Sequence, residues 1–239
     1  MSETYYAGCY WLARQETAEA CAQRAERFFR LLESCDPSWK CWNDAAAPEA
    51  EQRTLVSPDA AVFERMFETE ENQQGPDGFD FCLFAGDAVA TASAVNVTCG
   101  SATSAYPQAC VLRLPAAGPT ADRVLTAPVM TGILRAMALA WEPEWAVATC
   151  NEHREMASGK GDAGTFVGWG MYFSQLRGTV PPLSAPVHVE PVEDRGTLVI
   201  LTPERFSAFS EEHATLADRV RALLDEAGLL RPLRPWQEG

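Results

Sequence analysis

Apolar residues recur every three or four positions between residues 18 and 32, while the positions between them are mostly charged. This spacing places the apolar side chains on one face, so the pattern predicts an amphipathic helix. Its apolar positions are Ala18, Cys21, Ala22, Ala25, Phe28, Phe29 and Leu32. The predicted helix ends at Asp36 because Pro37 follows, and the residue before a proline avoids the helical region.

Three more helices are predicted along the chain. Ser57 and Pro58 form an N-cap followed by proline at the first helical position, ahead of a narrow apolar seam. A long apolar block at residues 122–141 predicts a second helix, with Pro128 opening its later half. Ser210 is a favourable N-cap for the last helix, and Gly228 supplies its stop.

Shorter segments with alternating or β-branched and aromatic residues predict strands. They cover residues 5–11, 79–84, 88–98, 109–114, 146–150, 166–174, 187–192 and 197–202. The strands between residues 79 and 114 follow one another through short connections, which antiparallel pairing permits and parallel crossovers do not. We therefore predict an α+β fold, in which helices pack on one mostly antiparallel or mixed sheet.

No internal repeat or linker divides the 239 residues. The sequence predicts a single domain spanning residues 1–239, and its softest internal boundary is the polar, glycine-rich stretch 151–165, which is predicted to be a loop.

The charge balance excludes several classes of partner. Nineteen Lys and Arg residues against 33 Asp and Glu give a net charge of −14 and a pI near 4.6. Nucleic acid and anionic membranes would be repelled, whereas a basic protein would be attracted. The N-terminus lacks the features of a signal peptide and no apolar run is long enough to cross a bilayer, so we expect a cytoplasmic protein without membrane contact.

The short motifs in the sequence give little support for a catalytic or cofactor-binding site. The segment GKGDAG at residues 159–164 fits G-x-G-x-x-G, but a strand-like segment follows it where a nucleotide site needs a helix. His153 and Glu155, like His188 and Glu190, have the H-x-E spacing of zinc deaminases without the accompanying cysteines. We predict no catalytic residues, no cofactor and no metal. Because catalytic groups can assemble from distant positions, a small hydrolase or transferase remains the alternative.

At least half of the net negative charge falls between residues 43 and 80. Such a run is commonly a solvated helix face. The alternative is a docking surface for a basic protein, since clustered charge accelerates association and guards against wrong partners. The residues predicted to form that surface are Glu64, Glu68, Glu70, Glu71 and Asp77.

Tryptophans divide into two groups by their surroundings. Trp11, Trp141, Trp145 and Trp169 lie in predicted strands or beside apolar helix faces, so we expect them in the core. Trp39 and Trp42 lie between two helices in a loop, where exposed tryptophan is a frequent interface hot spot. They are therefore predicted to be exposed anchors of the same surface.

Five blocks of sequence resemble the immunity protein 52 family of bacterial polymorphic toxin systems. The blocks are YYAGCYW at 5–11, RAERFFRLL with CDPS at 24–38, APVMTGILRA running into LAWEPEW at 127–145, VHVEPVED at 187–194, and GTLVILTPERF at 196–206. The resemblance implies an antitoxin without catalytic activity that binds a cognate toxin, typically a restriction-endonuclease-like nuclease delivered by type VI secretion. A basic DNase is the expected partner. An adaptor that carries an effector without inhibiting it is a third hypothesis.

Overall fold

A computed structural model describes residues 3–44, 55–75, 77–86, 91–103, 108–157 and 165–233 of the chain. Within these ranges all the strands belong to one sheet. The strands are β1 (Tyr5–Trp11), β2 (Trp42–Asp44), β3 (Leu55–Val56), β4 (Gln73–Gln74), β5 (Gly78–Ala85), β6 (Ser93–Cys99), β7 (Gln108–Arg113), β8 (Trp145–Cys150), β9 (Gly170–Ser174), β10 (His188–Val192) and β11 (Gly196–Ile200).

The strand order is β10-β11-β9-β8-β1-β7-β6-β5-β2-β3, and β4 pairs with β5 beside this path. Every pairing is antiparallel. The α+β prediction is confirmed. Strands β8 and β9, which flank the softest predicted boundary, pair directly with each other, and β1 lies at the centre of the sheet.

Six helices accompany the sheet in the described part of the chain. They are α1 (Ala18–Glu33), α2 (Ala60–Phe67), α3 (Pro119–Val124), α4 (Ala127–Trp141), α5 (Asn151–Ala157) and α6 (Glu211–Glu226). The amphipathic pattern of α1 is confirmed, because its predicted apolar positions are buried apart from half-buried Ala18. Ser210 caps α6 as predicted, with its hydroxyl accepting a hydrogen bond from the His213 amide.

Two local predictions about helices were wrong. Helix α2 begins at Ala60 rather than at Pro58, because the Asp59 carboxylate caps it by accepting the Val62 amide at 3.0 Å. The predicted loop 151–165 begins with helix α5, which is held by tertiary contacts. The buried His153 ring lies 2.8 Å from the Val167 carbonyl, and burial lowers the pKa of His153 below 6.5.

Strand ends also differ from the prediction. β6 begins at Ser93, five residues later than predicted, although residues 87–90 lie outside the described ranges. β9 begins at Gly170, four residues later than predicted, and Phe166 packs edge-on against Trp145 of β8 at 5.5 Å between ring centres. A side-chain carbon at Gly168 would lie 2.5 Å from Val147, so only glycine allows this close approach.

Helices α1 and α4 pack on one face of the sheet and bury most of the core. The four tryptophans predicted to be in the core are buried, and Trp141 of α4 stacks on Trp11 at 5.4 Å between ring centres. Phe63 of α2 stacks on Phe29 of α1 at 5.4 Å. Among the residues that the structure describes, no helix has the length and apolarity needed to cross a membrane.

An ion pair fixes the segment that leaves α1. Asp36 caps the 3-10 helix Pro37–Trp39 and receives two hydrogen bonds from the Arg123 guanidinium, each 3.0 Å long. Burial by itself would raise the pKa of Asp36, but hydrogen bonds from Arg123 and Ser38 outweigh it and lower the pKa to about 2. Ionised Asp36 therefore stabilises the fold.

We expect this stabilisation to depend on pH. A carboxylate whose pKa drops from 3.8 to about 2 on folding adds about 2 kcal/mol above pH 4, and this is lost as the pH falls toward 2. Urea unfolding of Asp36→Asn should show the deficit at pH 6, and the difference from the wild type should shrink between pH 4 and pH 2. A deficit that stays constant over this range would contradict the assignment.

Candidate functional site

Four of the predicted surface residues lie together on α2 and the turn after it. Phe63 and Phe67 anchor α2 in the core, which leaves Glu64 and Glu68 exposed on its outer side. The 3-10 helix Glu70–Asn72 follows at once and exposes Glu70 and Glu71. We call Glu64, Glu68, Glu70 and Glu71 the acidic strip.

Several carboxylates elsewhere in the described part of the chain are paired. Glu16 accepts hydrogen bonds from Arg14 at 2.9 Å and from Arg24 at 2.7 Å. Glu142 contacts both Arg24 and Arg195. The strip, by contrast, has no ion-pair partner among the described residues. Its negative potential is therefore not cancelled by direct contacts.

Folding stability does not explain the charges of the strip. Glu64 and Glu68 are one helical turn apart, where like charges destabilise a helix by about 0.2–0.5 kcal/mol. Glu68 is also the C-cap of α2, at the negative end of the helix dipole, and Arg65 is the only basic residue of that helix. The strip adds negative potential at a small cost in stability, as expected of a surface that attracts a cationic partner.

Asp77 differs from the strip. Its side chain is half-buried and accepts hydrogen bonds from the Ser101 hydroxyl at 3.2 Å and the Ala102 amide at 3.1 Å. These bonds connect the start of β5 to the segment after β6. The contacts of Asp77 therefore have a structural role, and we leave it out of the strip.

The predicted exposure of Trp39 and Trp42 was wrong. Trp39 is 1 % exposed and Trp42 is completely buried. The Trp39 indole donates to the Ser93 hydroxyl at 2.8 Å, and the Trp42 indole donates to the Trp39 carbonyl at 2.8 Å. Trp39 is bonded to the start of β6 and Trp42 is the first residue of β2, so both rings lie in the core and are not surface anchors.

Among the residues that the structure describes, one group of side chains has donor atoms close enough to hold a metal ion. It consists of Glu3, Cys150 and Glu152, whose possible ligand atoms lie within 4.8 Å of one another. However, Glu3 already accepts the Ala208 amide at 2.7 Å and the Tyr5 hydroxyl at 3.0 Å. Burial raises the pKa of Cys150 to about 11, so the thiol stays protonated at neutral pH. A metal requires the thiolate, and the group therefore fits a structural role better.

Other signals from the sequence do not form a reactive site. The GKGDAG motif lies outside the described residues, and the element that follows is strand β9 rather than a helix. His188 is exposed on strand β10 beside Glu190. A groove beside α6 carries Glu211, Glu212 and Arg219, all of which are exposed to solvent. Perturbed, converging titratable groups, which mark active sites, are not found in this groove.

The protein is of the α+β class, and its acidic strip has no ion-pair partner among the described residues. The particular family is Immunity protein 52: the chain matches it over residues 3–233 and belongs to it. Immunity proteins of this family are non-enzymatic inhibitors of toxins, and a cognate toxin is therefore the partner.

Comparison with solved structures supports the fold described above. The chain is similar to the T6SS protein PA0821 of Pseudomonas aeruginosa, with a TM-score of 0.54 and 15 % sequence identity. The similarity covers 96 % of this chain and 77 % of that protein. At this identity the likeness concerns the fold alone. A comparison with curated proteins finds no match.

Proposed function

We propose that this immunity protein neutralises a basic DNase toxin that is delivered by type VI secretion and has a restriction-endonuclease-like fold. Binding occurs in the cytoplasm of the producing cell and its siblings. The acidic strip occupies the positive groove that the nuclease presents to DNA, and this blocks the groove or the active site within it. The observation that carries the proposal is the unpaired charge of Glu64, Glu68, Glu70 and Glu71.

Three further points support the proposal. Immunity proteins act on a cognate toxin. A net charge of −14 favours a cationic partner and speeds its capture. The structural neighbour from Pseudomonas aeruginosa is described as a T6SS protein, which agrees with delivery by that route. A nuclease must bind phosphates through Lys and Arg, so carboxylates on a complementary surface compete directly with DNA.

Co-expression tests the function. The toxin encoded beside this gene should kill the host when expressed alone, and growth should return when the immunity protein is added. Purified toxin should cut plasmid DNA, and one equivalent of the immunity protein should stop the cutting. An inactive toxin variant allows the complex to be isolated without damage to the host.

The outcomes separate the three hypotheses about function. Rescue that survives substitution of Glu211, Glu212 and Arg219 in the α6 groove, together with inhibition at one equivalent, supports an antitoxin that acts by binding. Binding without rescue would indicate an adaptor. Rescue by catalytic amounts of the protein would indicate an enzyme and would contradict the proposal.

A further inference from the structure

Arg65 lies inside the acidic strip. It is the only basic residue of α2, and the 3-10 helix Glu70–Asn72 contains none. Successive residues of a helix are about 100° apart around its axis, so Arg65 lies about 60° from Glu68 and about 100° from Glu64 on the exposed side of α2. A single cation is therefore surrounded by the four carboxylates of the strip.

Arg65 forms no ion pair with any residue that the structure describes. A carboxylate three residues along a helix is within reach of an arginine, as the pair of Arg221 and Asp218 at 3.3 Å shows. Glu68 has the same spacing from Arg65, and yet the two side chains do not pair. The guanidinium of Arg65 is therefore available to a partner.

Folding stability gives Arg65 one role. It lies in the last turn of α2, where a positive charge interacts favourably with the helix dipole. Lysine would serve the dipole equally well, because this interaction depends on the charge and not on the shape of the group. A role of Arg65 in stability can therefore be separated from a role in binding by comparing arginine with lysine.

A cation inside the strip limits which partners fit. A groove lined only with Lys and Arg would be attracted by the glutamates but repelled at Arg65, and like charges that meet across an interface suppress binding. The matching partner is therefore basic around the strip and carries a carboxylate opposite Arg65. A guanidinium binds a carboxylate through two parallel hydrogen bonds, which lysine cannot reproduce, and arginine is enriched among the residues that dominate the energetics of interfaces.

Nucleases that use divalent metal ions combine these two features. Lys and Arg line the groove that holds the phosphates of DNA, whereas carboxylates hold the metal ion at the centre of the reaction. The catalytic centre is therefore a negative spot in a positive groove. The strip has the same arrangement with the signs reversed, because one positive residue is surrounded by glutamates.

From these observations we infer that Arg65 determines specificity by pairing with a metal-binding carboxylate in the active site of the toxin. The inference rests on the proposed function and narrows it, since it places the active site, and not only the DNA-binding groove, under the acidic strip. The glutamates attract the basic groove, and Arg65 selects the position in which the strip is bound. Steering by the glutamates affects mainly the association rate, whereas a desolvated pair of arginine and carboxylate affects mainly dissociation.

Charge reversal at Arg65 gives a result whose sign tests the inference. Arg65→Glu makes the protein more acidic, so attraction by net charge alone would tighten its binding to a basic toxin. We expect the opposite, a loss of affinity of about tenfold or more, mostly through faster dissociation. Arg219→Glu on α6 is the matched control, because Arg219 is also exposed and the change in net charge is the same. The control should bind at least as tightly as the wild type.

Metal dependence supplies a readout that a purely structural role of Arg65 would not change. Arg65 and Mg²⁺ compete for the same carboxylates, so each weakens the binding of the other. With a toxin inactivated outside its acidic residues, wild-type affinity should fall about fivefold or more when Mg²⁺ replaces EDTA at constant ionic strength, and that of Arg65→Gln less than about twofold. Arg65→Lys should match the wild type in urea unfolding but bind about threefold more weakly, because lysine replaces the charge and not the paired hydrogen bonds.

The possible results are distinguishable. Failure of the wild type to bind the toxin would remove the proposed function and this inference together. If the wild type binds but Arg65→Glu binds as tightly as Arg219→Glu, the inference is overturned while the proposed function stands. If Arg65→Glu weakens binding but Mg²⁺ affects the wild type and Arg65→Gln equally, the carboxylate lies outside the active site, which also overturns the inference. Wild-type binding by Arg65→Lys, together with reduced stability of Arg65→Glu, would confine Arg65 to the helix dipole and overturn it as well.

Discussion

Reversing the acidic strip to lysine should weaken toxin binding about 100-fold at low ionic strength. The variant carries Glu64→Lys, Glu68→Lys, Glu70→Lys and Glu71→Lys, all at exposed positions. Each reversal removes an attraction and adds a repulsion, and exposed charge pairs contribute roughly 0.2–1 kcal/mol each. Because steering controls encounter, the association rate should carry most of the loss. Stopped-flow kinetics and calorimetry with the inactive toxin measure both quantities.

Salt dependence is the second readout of this variant. Wild-type affinity should fall as ionic strength rises, since salt screens exposed charges over about 10 Å at 0.1 M. The variant should show a flat or inverted dependence. Its fold should persist, because lysine at position 68 is favourable at the C-terminal end of α2.

A control variant must separate the effect of the acidic strip on affinity from the effect of the net charge of the protein. Reversing Glu211, Glu212, Asp225 and Glu226 to lysine makes the same change in net charge on α6, again at exposed positions. This control should lose much less affinity than the strip variant. Equal losses in both would show that overall charge, rather than the strip, attracts the toxin. Unchanged affinity in the strip variant would remove it from the contact surface.

Truncating Trp42 should destabilise the protein by about 3–5 kcal/mol, which is the usual cost of removing a buried aromatic side chain. The ring is completely buried and packs edge-on against Phe29 at 5.0 Å between ring centres. Trp42→Ala leaves a cavity among aromatic side chains and removes the donor to the Trp39 carbonyl. Urea unfolding measures the loss, and Trp42→Phe, which fills much of the cavity, should cost less.

Binding by the same variant separates a core role from a contact role. For the fraction of Trp42→Ala that is folded at low temperature, affinity for the inactive toxin should lie within about threefold of the wild type. A variant with full stability but greatly weakened binding would mean that Trp42 contacts the toxin. That result would restore the prediction made from the sequence and contradict the structure.

Local patterns were sufficient to predict much of the fold. The three-to-four spacing of apolar residues in α1 and the alternation in β5 to β7 reflect which side of each element is buried, and burial leaves this imprint directly in the sequence. The exposure of the acidic strip was predictable for the same reason. Glutamates on the outer side of an amphipathic helix remain in water.

The remaining features of the fold depend on long-range packing. A local sequence pattern does not show which distant elements will come into contact. Trp39 and Trp42 have the local surroundings of an exposed loop, yet Ser93, far along the chain, accepts the Trp39 indole and draws the loop inward. Helix α5 forms because Val167 and Phe206 hold His153. The sequence by itself determined the elements, their amphipathic sides and the excess of acid. The tertiary structure decided which tryptophans are buried and where helix α5 forms, because both depend on contacts between residues far apart in the chain.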